Sequence, residues 1–299
     1  MSCAKLAVIG DVHSRWTDFD IRYFNASDYD ALLFTGDLPR VVGGIREAHA
    51  LAGLHKPAIV VPGNHDGVTL HQFLAELKHW PGVCERGASG QIMRMDDYRK
   101  ALGAVQLGGY SLHALELGGR RFDCLVGRPH SMGGNRLYFA PYLRDRFGVC
   151  SLAESTALLK RLVDDAAENL IFLAHNGPAG LGTEADAPWG CDFRPEAGDF
   201  GDQDWREAID YARRQGKRVW AVIGGHMHHH LKRSKRWRRW TVELEGVRYV
   251  NAARVPRIFK HEGAVWHHHV EIIFSDAGVR CAEIQVAPET GMVKRLPVE

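Results

Sequence analysis

Asp11, His13, Asp37, Asn64, His65, His175, His226 and His228 are the residues of this sequence whose types and spacing could do chemistry together. They sit in short clusters: Gly10-Asp11-Val12-His13, Gly36-Asp37, Gly63-Asn64-His65-Asp66, Ala174-His175-Asn176 and Gly225-His226-Met227-His228. An isolated Asp-x-His is an ordinary capped turn, and a lone histidine is more often a surface or core residue than a ligand. Jointly the eight offer carboxylate, imidazole and amide donors without a thiolate, a mixture that suits Mn²⁺, Fe²⁺ or Zn²⁺. They are too many donors for one ion, so the pattern implies two divalent metal ions. A carboxylate can bridge such a pair. Ions about 3.5–4 Å apart clamp the attacking and leaving oxygens of an in-line displacement and acidify a bound water.

The elements that must position these residues are legible as apolar runs. Residues 6–9, 31–34, 58–61, 169–174 and 218–223 read as buried strands, most of them ending at a glycine, where the backbone can turn sharply. The donors therefore stand just past strand carboxyl ends, the edge at which open α/β sheets place ligands. Helices are expected over 15–30, 43–54, 68–78 and 204–215. Another opens at the capping box of Ser151 and Glu154 and runs to about residue 167. Segment 80–102 is too mixed to assign. Segments 105–107, 110–117 and 120–126, joined by Gly108-Gly109 and Gly118-Gly119, read as an antiparallel meander. Residues 179–202 are rich in Gly, Asp and Pro and read as a long loop, a feature that is often functional. Beyond residue 240, strand-like runs break at Glu245-Gly246 and Asp276-Ala277-Gly278.

The chain has 299 residues, 45% hydrophobic and 25% charged, an ordinary globular composition that can bury a substantial core. No repeat or linker appears, so one domain over 1–299 is expected. A formal net charge of +2 argues against a chain-wide nucleic-acid or membrane partner. There is no signal-peptide pattern and no apolar stretch of membrane-spanning length, so a cytoplasmic protein is expected. The six cysteines are scattered without a Cys-x-x-Cys pair, which favours reduced, structural thiols.

In order, Gly-Asp11-x-His13, Gly-Asp37, Gly-Asn64-His65-Asp66, His175 and Gly-His226-x-His228 resemble the motif blocks of the calcineurin-like metallophosphoesterase superfamily. The resemblance implies a four-layer α/β sandwich of two mixed β-sheets packed face to face and flanked by helices. It implies that Asp11, His13 and His228 hold one metal, that Asn64, His175 and His226 hold the other, and that Asp37 bridges them. His65 would be a non-ligand that contacts the phosphate and protonates the leaving oxygen, with Asp66 available to orient it. The implied activity is hydrolysis of a phosphoester by a metal-held hydroxide attacking phosphorus in line. Ser14, Leu38-Pro39-Arg40 and Asp66 depart from the Gly, Asp-Arg-Gly and Asn-His-Glu of the protein Ser/Thr phosphatase branch. These departures point to small or nucleotide-like phosphoesters, mono- or diester. Segments 174–182 and 225–230 also resemble, more loosely, an uncharacterised cyanobacterial and plant subgroup. A phosphoprotein phosphatase and a catalytically silent scaffold of the same fold are the alternatives, although a scaffold should have lost ligands or His65.

Arg128 and Arg136, in the glycine-rich segment 127–136, could clamp phosphate bidentately or face water. The basic tract 232–240, with Trp237 and Trp240, could attract a polyanion or be a solvated hairpin, and nucleic acid is not the favoured partner. His71, His79, His229, His230 and His267 to His269 have no motif context and are assigned no role.

Overall fold

Alternation within the buried runs decides the architecture. The computed structural model describes residues 3–298 apart from Arg233 and Lys235. Its first part runs β1 (Ala4–Ile9), α1 (Asp18–Ala26), β2 (Ala31–Phe34), α2 (Ile45–Leu51), β3 (Ala58–Val60), α3 (Leu70–Lys78), α4 (Pro81–Ala101) and β4 (Gln106–Leu107). Then follow β5 (Ser111–Leu117), β6 (Arg120–Val126), α5 (Ala140–Phe147), α6 (Leu152–Asp165), β7 (Asn169–Leu173), α7 (Gln203–Arg214) and β8 (Arg218–Gly224). The remainder is β9 (Thr241–Leu244), β10 (Val247–Asn251), β11 (Ile258–His261), β12 (Ala264–Ser275), β13 (Gly278–Ala287) and β14 (Met292–Pro297).

One sheet has the order β14-β13-β12-β1-β2-β3-β4, with β11 also on β12, and the other β5-β6-β7-β8-β10-β9. Both are mixed. β1 to β4 run parallel while β12 pairs antiparallel to β1, and β6, β7, β8 and β10 run parallel with antiparallel β5 and β9 at the edges. Because strand side chains alternate, Leu6 and Val8 of β1, Leu33 of β2 and Ile59 of β3 enter a core with Phe122, Ile171 and Ile223 from the other sheet. Ala7, Ile9, Leu32, Phe34 and Val60 point the other way and join helix residues such as Phe24, Leu51 and Tyr98. In the second sheet Leu170, Phe172 and Val222 do the same with Leu159, Trp205 and Ile209. The two sheets face each other with helices outside, the sandwich that the resemblance implies.

The expected helices and strands form, including the Ser151 cap, whose hydroxyl accepts from Glu154 N at 3.2 Å while Glu154 Oε2 accepts from Cys150 N at 2.6 Å. One unassigned segment gains a place, and one reading needs correction in part. Segment 80–102 is one long helix, α4, and its Gly87 lies where a side chain would crowd Gln72 of α3, so a residue that weakens the helix is used for close packing. The meander holds only in part: β5 and β6 pair antiparallel about Gly118-Gly119 as expected, but the first strand lies elsewhere. Residues 106–107 pair parallel with β3 in the first sheet, and Gly108-Gly109 carries the chain across to β5 in the second.

Candidate metal centre

Asp11 follows β1, Asp37 follows β2, Asn64 and His65 follow β3, His175 follows β7, and His226 and His228 follow β8, so carboxyl ends from both sheets meet at one place. Several donors are held in the left-handed region: His13 at φ 45°, Asp37 at 48° and His226 at 65°. Asp and His tolerate this region better than most residues, and such outliers collect where a surrounding structure dictates them. The glycines before the donors have a steric reason. A side chain on Gly63 would collide with Asp37, and one on Gly225 with Asp11.

Two donor groups result, each with its ligand atoms mutually within 4.8 Å: Asp11, His13 and His228, and Asp37, His175 and His226. In the first, Asp11 Oδ2 lies 3.4 Å from His228 Nε2, and His228 Nε2 lies 3.3 Å from His13 Nε2. In the second, His175 Nε2 lies 3.6 Å from Asp37 Oδ2, 3.2 Å from His226 Nδ1 and 2.9 Å from Asn64 Oδ1. Asp37 Oδ2 is also 4.0 Å from His13 Nε2, so this carboxylate stands between the groups. Orientation comes from the backbone. His13 Nδ1 and His175 Nδ1 donate to the carbonyls of Pro39 at 3.3 Å and Thr35 at 2.6 Å, which turns each Nε2 lone pair into the cluster. Asp11 accepts from Thr35 Oγ1 at 3.0 Å and from His226 N at 3.0 and 3.2 Å.

The electrostatics match a cation. Against the upward push of burial, the His228 hydrogen bond and the charges of His175 and His13 hold Asp11 well below the carboxylate range, and His175, His65 and His13 lower Asp37. Burial, with His175 beside it, pushes His226 down to about 3, and burial lowers His13. Burial pulls His175 down as well, but Asp37 and Asp11 outweigh it and raise the imidazole. Anionic Asp11 and Asp37 with neutral His13 and His226 suit a divalent ion, and the proton His175 favours is one that ion binding would displace. The residues fit two ions.

His65 lies at this edge without belonging to either group. Its Nδ1 bonds Val41 O, its N–H donates to Asp37 Oδ1 at 2.9 Å, and its Nε2 is 3.8 Å from Asp37 Oδ2. Asp66, expected to orient His65, does something else. Its carboxylate is fully buried and accepts from Gly63 N (2.7 Å), Asp37 N (2.8 Å), Leu38 N (3.1 Å) and Tyr98 Oη (3.1 Å). It ties the β2 and β3 exits together, and burial next to Asp37 pushes its pKa up to about 7.

The two arginines are also corrected. Arg128 is buried, with Nε 3.0 Å from Asp204 Oδ2 and Nη2 3.0 Å from Asp202 Oδ1, so a guanidinium already paired twice is not a phosphate clamp. Arg136 donates to Glu76 O at 3.2 Å, approaches Glu76 Oε2 at 3.7 Å and stacks over Tyr138 at 4.7 Å in a neighbouring groove. Asn64 stays in the centre, where its amide can ligate through oxygen and donate through nitrogen.

Sequence reasoning missed His130. It is fully buried behind the centre, its Nδ1 donates to Gly63 O at 2.8 Å, its N–H donates to Pro62 O at 2.9 Å, and its Nε2 has no partner. Burial lowers its pKa to about 4. A histidine lowered on folding gives stability that is whole above its unfolded pKa of about 6.5 and is lost as pH falls from there toward 4. In His130→Asn, which keeps a donor near Gly63, the drop in urea-unfolding free energy between pH 7 and 4.5 should shrink by about 2 kcal/mol. An unchanged drop would show that His130 takes up its proton as readily in the folded state as in the unfolded one.

The centre opens into a cleft of about 470 Å³, and segment 179–202 forms part of its wall. That segment is irregular, as expected, but pinned. Trp189 is buried and donates from Nε1 to Gly225 O at 3.1 Å, and Asn251 Nδ2 donates to Pro188 O at 2.7 Å. Arg238, also buried, places Nη1 within 2.6–2.9 Å of the carbonyls of Ala185, Ala187 and Gly190 and Nη2 3.2 Å from Asp192 Oδ1. Among the described residues of the basic tract only Arg238 is buried; Lys232, Arg236, Trp237 and Arg239 are exposed on a hairpin bridged between His230 and Trp237, as the solvated-hairpin reading expects. Arg236 pairs with Asp186 and Arg239 with Glu184, while Arg233 and Lys235 lie outside the described residues. Trp237 is about half exposed under Arg254, and Trp240 packs against the inter-sheet core. Arg238→Met should destabilise the fold by about 3 kcal/mol in urea unfolding, because it takes the guanidinium away from the Asp192 carboxylate and from three loop carbonyls at once. A loss under about 1 kcal/mol would mean that the loop is held mainly by Trp189.

The calcineurin-like phosphoesterase family model matches residues 4–230. A solved structure from Thermus thermophilus is 10% identical over all of both chains with a TM-score of 0.50, a likeness of fold alone. Zinc-bound Vps29 of Entamoeba histolytica is 14% identical over 98% of each chain at a TM-score of 0.38. A predicted phosphoesterase of Streptococcus pneumoniae is 11% identical over 100% of this chain and 99% of its own, at 0.34. No curated protein sequence matches the chain. Among the described residues, no helix is long and apolar enough to cross a membrane.

Proposed function

The chain belongs to the calcineurin-like phosphoesterase family, and from that premise we propose that it hydrolyses small or nucleotide-like phosphoesters with two divalent ions, drawn from Mn²⁺, Fe²⁺ and Zn²⁺. The observation that carries the reading is Asp37 Oδ2 standing between two complete donor groups, with His65 beside it at the mouth of a cleft. Asp11, His13 and His228 would hold one ion, Asn64, His175 and His226 the other, and Asp37 would serve both. When bound, such ions acidify water and neutralise charge developing at phosphorus. The chain supplies the rest. Val41 O fixes the His65 ring, so its Nε2 can donate to a phosphoryl oxygen and pass a proton to the leaving oxygen. The Asn64 amide can donate to a second phosphoryl oxygen while its Oδ1 faces His175. The six cysteines are unpaired, which supports a cytoplasmic setting as part of the same proposal.

The test is a panel of phosphomonoesters and phosphodiesters offered to Mn²⁺-loaded protein, with metal content measured in parallel. Turnover of at least one small ester, removed by chelation and restored by metal, is expected. Fully loaded protein that turns over none of them would favour the silent scaffold, and turnover confined to phosphoproteins would assign the other alternative.

A further inference from the structure

The metal-facing residues occupy one end of the cleft; the rest of its wall is mostly apolar and aromatic. Phe73 and Leu77 come from α3, Met132 and Tyr138 from the glycine-rich segment and the residues after it, and Phe193 and Phe200 from the long loop. The aromatic wall begins beside the chemistry, since the Phe73 ring centroid is 5.0 Å from that of His65. Phe200 is nearly buried and meets Phe193 edge-on at 5.4 Å, while Phe193 itself is 39% exposed. Lys232 Nζ lies 5.4 Å from the Phe193 ring centroid. Trp189 and Arg238 hold the loop, so the ring is positioned before any ligand arrives.

A phosphoryl group satisfies only the polar end of such a cleft. Clefts of this size, apolar apart from a few placed polar groups, bury ligands with a sizeable organic part. An exposed ring braced edge-on by a buried one offers a flat surface, and flat surfaces discriminate for planar rings through stacking. We infer that Phe193, braced by Phe200, is a stacking platform for a planar ring in the organic part of the ester. The substrate class would then be a nucleoside-like phosphate rather than a sugar or alkyl phosphate. This assignment rests on the hydrolase reading for its phosphate end and on the loop for its ring end.

AMP and ribose 5-phosphate test it, because both release a primary alcohol from the same sugar position and differ in the base. With Mn²⁺-loaded full-length protein, kcat/KM should favour AMP by about 5- to 100-fold, the range that stacking of one base gives. Phe193→Ala should bring AMP down to the level of ribose 5-phosphate while leaving the latter within about twofold, and Phe193→Trp should keep the preference. Adenosine, which has no ester to hydrolyse, should bind the loaded protein in calorimetry and lose that binding in Phe193→Ala. Equal rates on the two esters, an equal loss on both in Phe193→Ala, or a preference for hexyl phosphate over AMP would each overturn the platform. If neither ester is turned over but adenosine binding depends on Phe193, the hydrolase reading fails and the platform stands. No turnover, with adenosine binding absent or indifferent to Phe193, removes both.

Discussion

Asp37→Asn should empty the centre of at least one ion and cut turnover of any small ester by well over about 100-fold. Partners that merely orient a ligand typically cost about 10–100-fold when removed. Asp37 is placed to do more, with Oδ2 3.6 Å from His175 Nε2 and 4.0 Å from His13 Nε2. Asparagine is the informative replacement. Asp37 sits at φ 48°, which asparagine tolerates well, and an amide oxygen can still accept the His65 N–H that Oδ1 now receives at 2.9 Å. The change therefore removes a charge and an anionic ligand with little reason for the loop to move. Elemental analysis beside kinetics checks it: two ions retained with turnover intact would show that Asp37 bridges nothing.

His65→Gln should separate acid catalysis from metal binding. His65 belongs to neither donor group, so both ions should remain. General acid assistance contributes about 10²–10⁴-fold and matters most for a poor leaving group. Nitrophenolate departs readily without a proton, whereas an alkoxide does not. Where chemistry limits both rates, the variant should lose about 10²-fold or more on an alkyl phosphoester and much less on a nitrophenyl one. Equal losses on the two esters would assign His65 to phosphate positioning, and a lost ion would redraw the ligand set.

The donors were legible because ligating residue types at strand exits have few other reasons to recur after glycine. The parallel strands were legible because residues buried on both faces give unbroken apolar runs, as in 31–34 and 170–173. What was hidden depends on partners remote in sequence. Nothing near Arg128 announces Asp202 and Asp204, so a structural guanidinium looked available for phosphate. Asp66 was misread because three of its four donors, Gly63, Asp37 and Leu38, are backbone amides, which every sequence contains and none displays. Helix α4 was obscured by glycines, of which Gly87 serves its contact with α3, and β4 by a glycine pair that looks like a hairpin but crosses between sheets.

The hold of Arg238 on segment 179–202 has a dynamic consequence. One guanidinium serves carbonyls at residues 185, 187 and 190 and the carboxylate at 192, and the Trp189 side chain between them is anchored to Gly225. The segment also closes on itself, with Cys191 N donating to Gly198 O and Phe200 N to Trp189 O. Releasing any one carbonyl would leave the others still holding the same buried charge, so little is gained by fraying from one end. Opening becomes all-or-none, a small cooperative unit within the larger fold whose amides share one opening free energy. The wall carrying Phe193 is then either in place or gone, and the cleft has two widths rather than a continuum.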